Sequence, residues 1–239
     1  MDGLRGALEY LVNLNNAYIT DIKGETYTDK KLSRIDKELR AVPLNMSTLT
    51  SLVTYISSHA DQFKGKLLVH IESPTEVKLL SCLDEDRKRE CLVAVNAETP
   101  EFRYESYIDH ESFLIALRSK FIKNEDRDLI IKFAGTVEAG SADTYGDDGI
   151  SQKVTIRKGI AGKEDAIVPN PVKLQPYRTF KEVQQPLSEF VFRMRDRSGE
   201  IGCALFEADG GAWKTAAMES IHNYLVNELK IFPEVIVLH

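Results

Sequence analysis

The sequence predicts an α+β protein, built mainly from antiparallel sheets (a β-meander and β-hairpins) with several packed helices. Three observations carry that expectation. Short β-favouring runs come in groups, each group is followed by an amphipathic helical stretch, and this order occurs twice, without the βαβ alternation of a doubly wound sheet. The 239 residues carry 31 Lys+Arg against 37 Asp+Glu, a formal net charge of −6, and 43% of them are hydrophobic. A chain of that length and composition buries a substantial core without a metal or disulfide staple.

Taken in order, Leu4, Ala7, Leu8, Leu11 and Val12 repeat at helical spacing and predict a short N-terminal amphipathic helix. A small hairpin around Lys23-Gly24 and a charged surface helix over 29–40 follow. Ser47 is the expected N-cap of a firmer helix carrying Leu49, Leu52, Val53 and Ile56 on one face. The runs KLLVHIE (66–72), EVKLLSCL (76–83) and ECLVAVN (90–96) predict a three-stranded antiparallel meander. Asp109 opens a helix with Phe113, Leu114, Leu117 and Phe121 inwards, and a second segment from Asp126 runs towards Gly135. Glycines punctuate 135–162, where alternation at 150–157 predicts a protruding hairpin.

Four of the eight prolines fall within 169–186. Proline fixes φ and removes a backbone donor, so this segment should run extended. Its apolar residues Val172, Leu174, Tyr177, Phe180 and Val183 should pack it down as a strap joining two halves. FVFRMR and IGCALFE form a hairpin about Ser198-Gly199, Gly210-Gly211 turns the chain into a helix from about Trp213 to Lys230, and a last strand follows Pro233. The expected segments are 1–45 (N-terminal helix and arm), 46–140 (meander plus helices) and 141–239 (hairpin, strap, second hairpin and C-terminal helix). The last two are also compatible with one continuous domain.

Counting excludes several function classes. Cys82, Cys91 and Cys203 form no metal-binding spacing, and an odd number points to reduced thiols in a cytoplasm. No stretch approaches ~18 consecutive apolar residues, so no membrane partner is expected. The start, MDGLRGALEYLVNLNN, lacks both a basic n-region and a small-residue cleavage site. Acidic balance argues against bulk non-specific nucleic-acid binding, which phosphate neutralisation drives. The dispersed histidines form no HxH or HExxH pair, so no metal centre or Ser-His-Asp set is named.

Three places can carry chemistry. Asp147 and Asp148 lie in an acidic glycine-rich turn that would suit Mg²⁺, which takes hard oxygen ligands, although Asp-Gly is also an ordinary turn signal. Glu207 and Asp209 precede Gly210-Gly211 and the helix that carries Trp213 and Lys214, the latter a candidate contact to a phosphate or a partner. A strand, two glycines and a helix present backbone N–H groups to an anion, but these two carboxylates repel a phosphate unless a metal bridges it. Trp213 reads as core rather than as a stacking platform. Arg178, Arg193 and Arg195 lie with Tyr177 on the strap and hairpin, and strand alternation puts Arg193 and Arg195 opposite Phe190, Phe192 and Met194. Such arginines hold phosphates bidentately, or form an ion-pair surface.

The stretches EDRDLIIKFAG, TYGDDGISQKVTIRKGI, VPNPVKLQPYRTFKEVQQPLSEFVFRMRD and CALFEADGGAWK together resemble the YfdQ-like family of phage and prophage proteins, which carries a domain of unknown function. The resemblance spans about 49–225. It implies a non-structural phage protein in the cytoplasm of a bacterial host, and it supplies no active site. The expectation is a non-catalytic homo-oligomer acting in host takeover or counter-defence on a host immune protein or a nucleotide signal, with no cofactor unless Mg²⁺. The alternatives are a single-stranded nucleic-acid-binding accessory of recombination or replication, a self-assembling ring or shell, and a metal-dependent phosphoesterase using Asp147, Asp148, Glu207 and Asp209.

Overall fold

Apolar residues at every second position of consecutive strands build two sheets, each with a core on one face. The computed structural model describes residues 4–7, 10–11, 17–22, 25–29, 40–61, 63, 65–137, 153–158, 162–167, 169–197 and 200–239. The chain divides into two units, Met1–Arg40 and Ala41–His239. In the first, residues 4–7 are helical, and β1 (Ile19–Ile22) pairs antiparallel with β2 (Glu25–Thr28), as expected for a hairpin. The surface helix expected over 29–40 falls almost entirely outside the described residues.

The second unit begins with β3 (Leu44–Met46) and α1 (Leu49–Ser57). The N-cap of α1 is Thr48, not the expected Ser47, because the Thr48 side chain accepts from the Ser51 amide. The meander is β4 (Leu67–Ser73), β5 (Glu76–Ser81) and β6 (Cys91–Asn96), antiparallel throughout. Parallel strands flank it, so the full sheet is mixed, in the order β13-β4-β5-β6-β3 with β13 at Val235–Leu238. Val69, Leu79 and Val93 face Leu49, Leu52 and Ile56 of α1 and Ile221 and Leu225 of the C-terminal helix α4 (Ala212–Leu229) in one core.

The second sheet has the order β10-β11-β12-β7. Its strands are β7 (Ile108–Asp109), β10 (Val172–Leu174), β11 (Ser188–Arg197) and β12 (Glu200–Glu207). Helices α2 (His110–Lys120) and α3 (Glu125–Ala134) cover it through Phe113, Leu117 and Ile130, which meet Phe190, Phe192 and Leu205. Asp109 caps α2 as expected, and hydrogen bonds from the Ser112 side chain and amide hold its carboxyl below the usual range. Asn124 caps α3, which starts at Glu125, one residue before the expected Asp126. Strands β8 (Lys153–Lys158) and β9 (Gly162–Ile167) pair antiparallel, where the sequence predicts a hairpin.

The strap does join the two cores. Val172 and Leu174 belong to the core under β11, whereas Phe180 belongs to the core under the meander. It starts at a cis Asn170-Pro171 bond, and the Asn170 side chain both donates to Phe192 O (2.9 Å) and accepts from Phe192 N (2.6 Å). The whole chain is thus α+β. Phe192 stacks on Phe113 with ring centroids 5.4 Å apart, both fully buried. Truncating Phe192→Ala should destabilise the fold by about 3–5 kcal/mol, read as a lower urea midpoint with an unchanged slope.

Candidate ligand-binding site

Where the strap, the hairpin and the start of α4 meet, Arg178 is buried, with 7% of its surface exposed. Its Nη1 donates to Glu207 Oε1 at 2.5 Å, its Nη2 donates to Ser188 Oγ, and Nη2 lies 3.9 Å from Asp209 Oδ2. The guanidinium carbon sits 3.9 Å from the centroid of Trp213 and 5.7 Å from that of Phe190. Desolvation lowers the Arg178 pKa, against the opposing effect of Tyr104, Glu207 and Asp209. An arginine starts so far above neutrality that it keeps its charge. Burial likewise pushes the Tyr104 phenol up to about 12.

Local structure puts each group there. Phe190 pairs with Glu207 across the β11–β12 ladder, and directly opposed residues share a face. Ser188, two residues before Phe190, therefore projects to the same side. After Glu207 the chain turns through Gly210 and Gly211 with φ of +63° and +82°, a region that favours glycine. Asp209 Oδ1 accepts from the Gly211 amide (3.0 Å), which closes the turn and starts α4.

Arg178 is held from behind by Gln185, a residue the sequence reading passed over. The Gln185 Oε1 accepts from the amides of Arg178 (2.9 Å) and Thr179 (3.1 Å), while its Nε2 donates to Phe180 O (2.9 Å). Gln185 stands among other polar strap residues such as Gln175, Thr179 and Gln184, so nothing in the sequence singled it out. Ser188 and Tyr104 were also missed, and nothing local marks them, since both reach Arg178 only through the fold.

The residues proposed from sequence do not form one group. Arg193 and Arg195 lie on the opposite face of β11 from Phe190, so neither joins Arg178. Arg195 instead sits 4.1 Å over the ring of Tyr107. Tyr177 is exposed, its amide donating to Lys120 O (3.0 Å), and Lys214 Nζ is 5.9 Å from the Trp213 centroid. Glu207 and Asp209 do come together, but around a guanidinium. Asp147 and Asp148 lie outside the described residues. Trp213 is half-buried and does serve as a stacking platform, for Arg178, contrary to the expectation of a core residue. Burial pushes the Cys203 thiol up to about 12, away from nucleophile chemistry at neutral pH.

Beside this junction lies a pocket of about 250 Å³, lined by Lys173, Leu187, Ser188, Glu189, Asp209, Ala212, Trp213 and Ala216. At its rim Lys173 Nζ is 3.5 Å from Glu189 Oε1. Among the described residues no cluster of His, Cys, Asp and Glu is arranged to hold a metal ion, and no helix is long and apolar enough to cross a membrane. Comparison with protein-family models, with curated proteins and with solved structures returned no match.

Two outcomes follow from this geometry. Arg178→Met strands Glu207 without its partner and should lower stability by about 3 kcal/mol in urea denaturation, whereas adding Glu207→Leu should restore most of it. For Tyr104 the folded-state pKa lies above the ordinary value near 10, so its contribution is complete below pH ~10 and is lost as pH rises towards 12. Melting temperatures measured from pH 9 to 11.5 should fall, and should fall less steeply in Tyr104→Phe.

Proposed function

We propose that the chain works by binding rather than by catalysis, as a self-associating phage protein of the bacterial cytoplasm acting in host takeover or counter-defence. The observation that carries the binding reading is the commitment of Arg178, Glu207, Asp209 and Trp213 to one another. Acid–base or nucleophilic chemistry needs a group free to exchange a proton or attack. Here Arg178 and Glu207 hold each other, and Asp209 and Trp213 line a pocket beside them. The phage setting rests on the resemblance to the YfdQ-like family, and a host immune protein or a nucleotide signal is the target class that setting suggests.

Self-association draws support from the five-stranded sheet. Its helices cover the face of Val69, Leu79 and Val93. On the other face a row runs across four strands in register: Ile236, Leu68, Leu80 and Cys91. Ile236 and Leu238, on the edge strand β13, remain 38% and 44% exposed. Apolar side chains on an edge strand favour pairing with another chain. Native mass spectrometry of the purified protein should show a discrete oligomer, and Ile236→Lys, checked for folding by circular dichroism, should shift it towards monomer. A larger closed assembly would favour the ring or shell reading. A wild-type monomer at micromolar concentration would defeat self-association.

A second reading has its own observation. Arg195 stacked on Tyr107, with Phe206 6.2 Å from that ring, forms an arginine and aromatic face of the kind that holds single-stranded nucleic acid. Binding of a fluorescent oligonucleotide that weakens steeply with salt and is lost in Arg195→Glu would support it.

A further inference from the structure

We infer that the pocket beside Asp209 and Trp213 takes a nucleobase, a neutral flat ring that presents an N–H donor beside carbonyl or ring-nitrogen acceptors. The inference rests on the reading that this chain acts by binding, and it names the ligand chemistry of that same site. Among the described residues, the buried side-chain atoms without a hydrogen-bond partner are Arg178 Nε, Asp209 Oδ2 and Trp213 Nε1. All three belong to one junction. Buried polar groups in folded proteins are almost always paired, so three orphans in one place mark contacts that another molecule completes. Two are donors and one is an acceptor, which asks for a partner with both functions.

Charge selects among such partners. Lys173 stands against Glu189 and Asp209 in the pocket lining, with Lys173 Nζ 3.5 Å from Glu189 Oε1, while Arg178 and Glu207 pair with each other outside the lining. A phosphate meets two carboxylates here against one lysine that is already paired, and a metal ion finds only these two carboxylates beside that lysine, whereas a neutral polar ring meets neither penalty. Leu187, Ala212, Ala216 and the Trp213 ring supply apolar wall for its faces. About 250 Å³ lies just below the size of ordinary small-molecule pockets and admits a base better than a large cofactor. The orphan atoms are covered in this structure, so the ring reaches them when the Trp213 side chain turns aside from Arg178.

That movement has a direct readout, because Trp213 is the one tryptophan of the chain. Titrating the full-length protein with guanosine should change its tryptophan emission saturably, and ribose 5-phosphate should not. Asp209→Asn keeps the side-chain shape but replaces the orphan acceptor, and should bind guanosine about tenfold or more weakly, as for loss of one hydrogen bond to a charged group. Ala216→Leu fills the pocket from an exposed helix position with Asp209 intact and should abolish the response, with its melting temperature as the folding control. An emission change equal for ribose 5-phosphate and guanosine would overturn the inference in favour of sugar or phosphate recognition. No response to guanosine, adenosine, cytidine or uridine would overturn it in favour of a pocket that holds only water. Either result leaves the oligomer measurement, and so the self-association reading, standing on its own.

Discussion

Burying a guanidinium takes a charge out of water, at an effective penalty of several kcal/mol unless partners replace the lost solvation. Arg178 meets that demand with Glu207, Ser188 and the ring of Trp213, and the rest of the second unit is arranged around the result. Those partners come from the end of β12, the start of β11 and the first turn of α4. The strap that carries Arg178 is tied in turn by Gln185, which accepts from two strap amides and donates to a strap carbonyl. The knot matters because α4 belongs to the core under the meander, while Phe190 and Leu205 belong to the other core. The Arg178 ion pairs and the Gln185 clamp therefore sit where the strap passes from one hydrophobic core to the other.

Proline makes such a clamp necessary. Beyond the three-residue ladder of β10 with β11 the strap adds no further strand or helix, yet its buried amides must be satisfied, and side chains supply acceptors. Gln185 does this for Arg178 and Thr179, whereas Asn170 at the start of the strap accepts from a β11 amide, Phe192 N. Between them Ile122 N donates to Gln175 O and Tyr177 N donates to Lys120 O, so the strap borrows the linker between α2 and α3 as a short partner strand. The pocket beside Arg178 is lined from β10, the start of β11, Asp209 and the first turns of α4.

Much of this organisation was legible in the chain. Alternation in FVFRMR placed Phe190, Phe192 and Met194 inwards and the arginines outwards, and the ladder with β12 agrees residue by residue. Asp109 announced its helix by residue type and position, and Pro233 its end. Thr48 displaced Ser47 as a cap because neighbouring hydroxyl residues are chemically equivalent, and only the backbone decides which one adopts extended φ and ψ. The parallel pairing of β3 with β6 and of β13 with β4 left no trace, since parallel neighbours are distant in sequence and their pattern resembles that of any short apolar strand. The grouping of Arg178 with Arg193 and Arg195 failed for a related reason: proximity in sequence carries no information about which face of a sheet a strap crosses.

By itself the sequence determined the α+β class, most of the elements and which side of each strand is apolar, because these follow from local periodicity and from residue types with strong backbone preferences. The tertiary structure alone decided that Arg178 is buried rather than displayed, that Trp213 carries it, and that Glu207 and Asp209 face a cation. Those choices depend on the convergence of three segments separated by up to dozens of residues. Charge compensation acts through space, and no pattern along the chain records its direction.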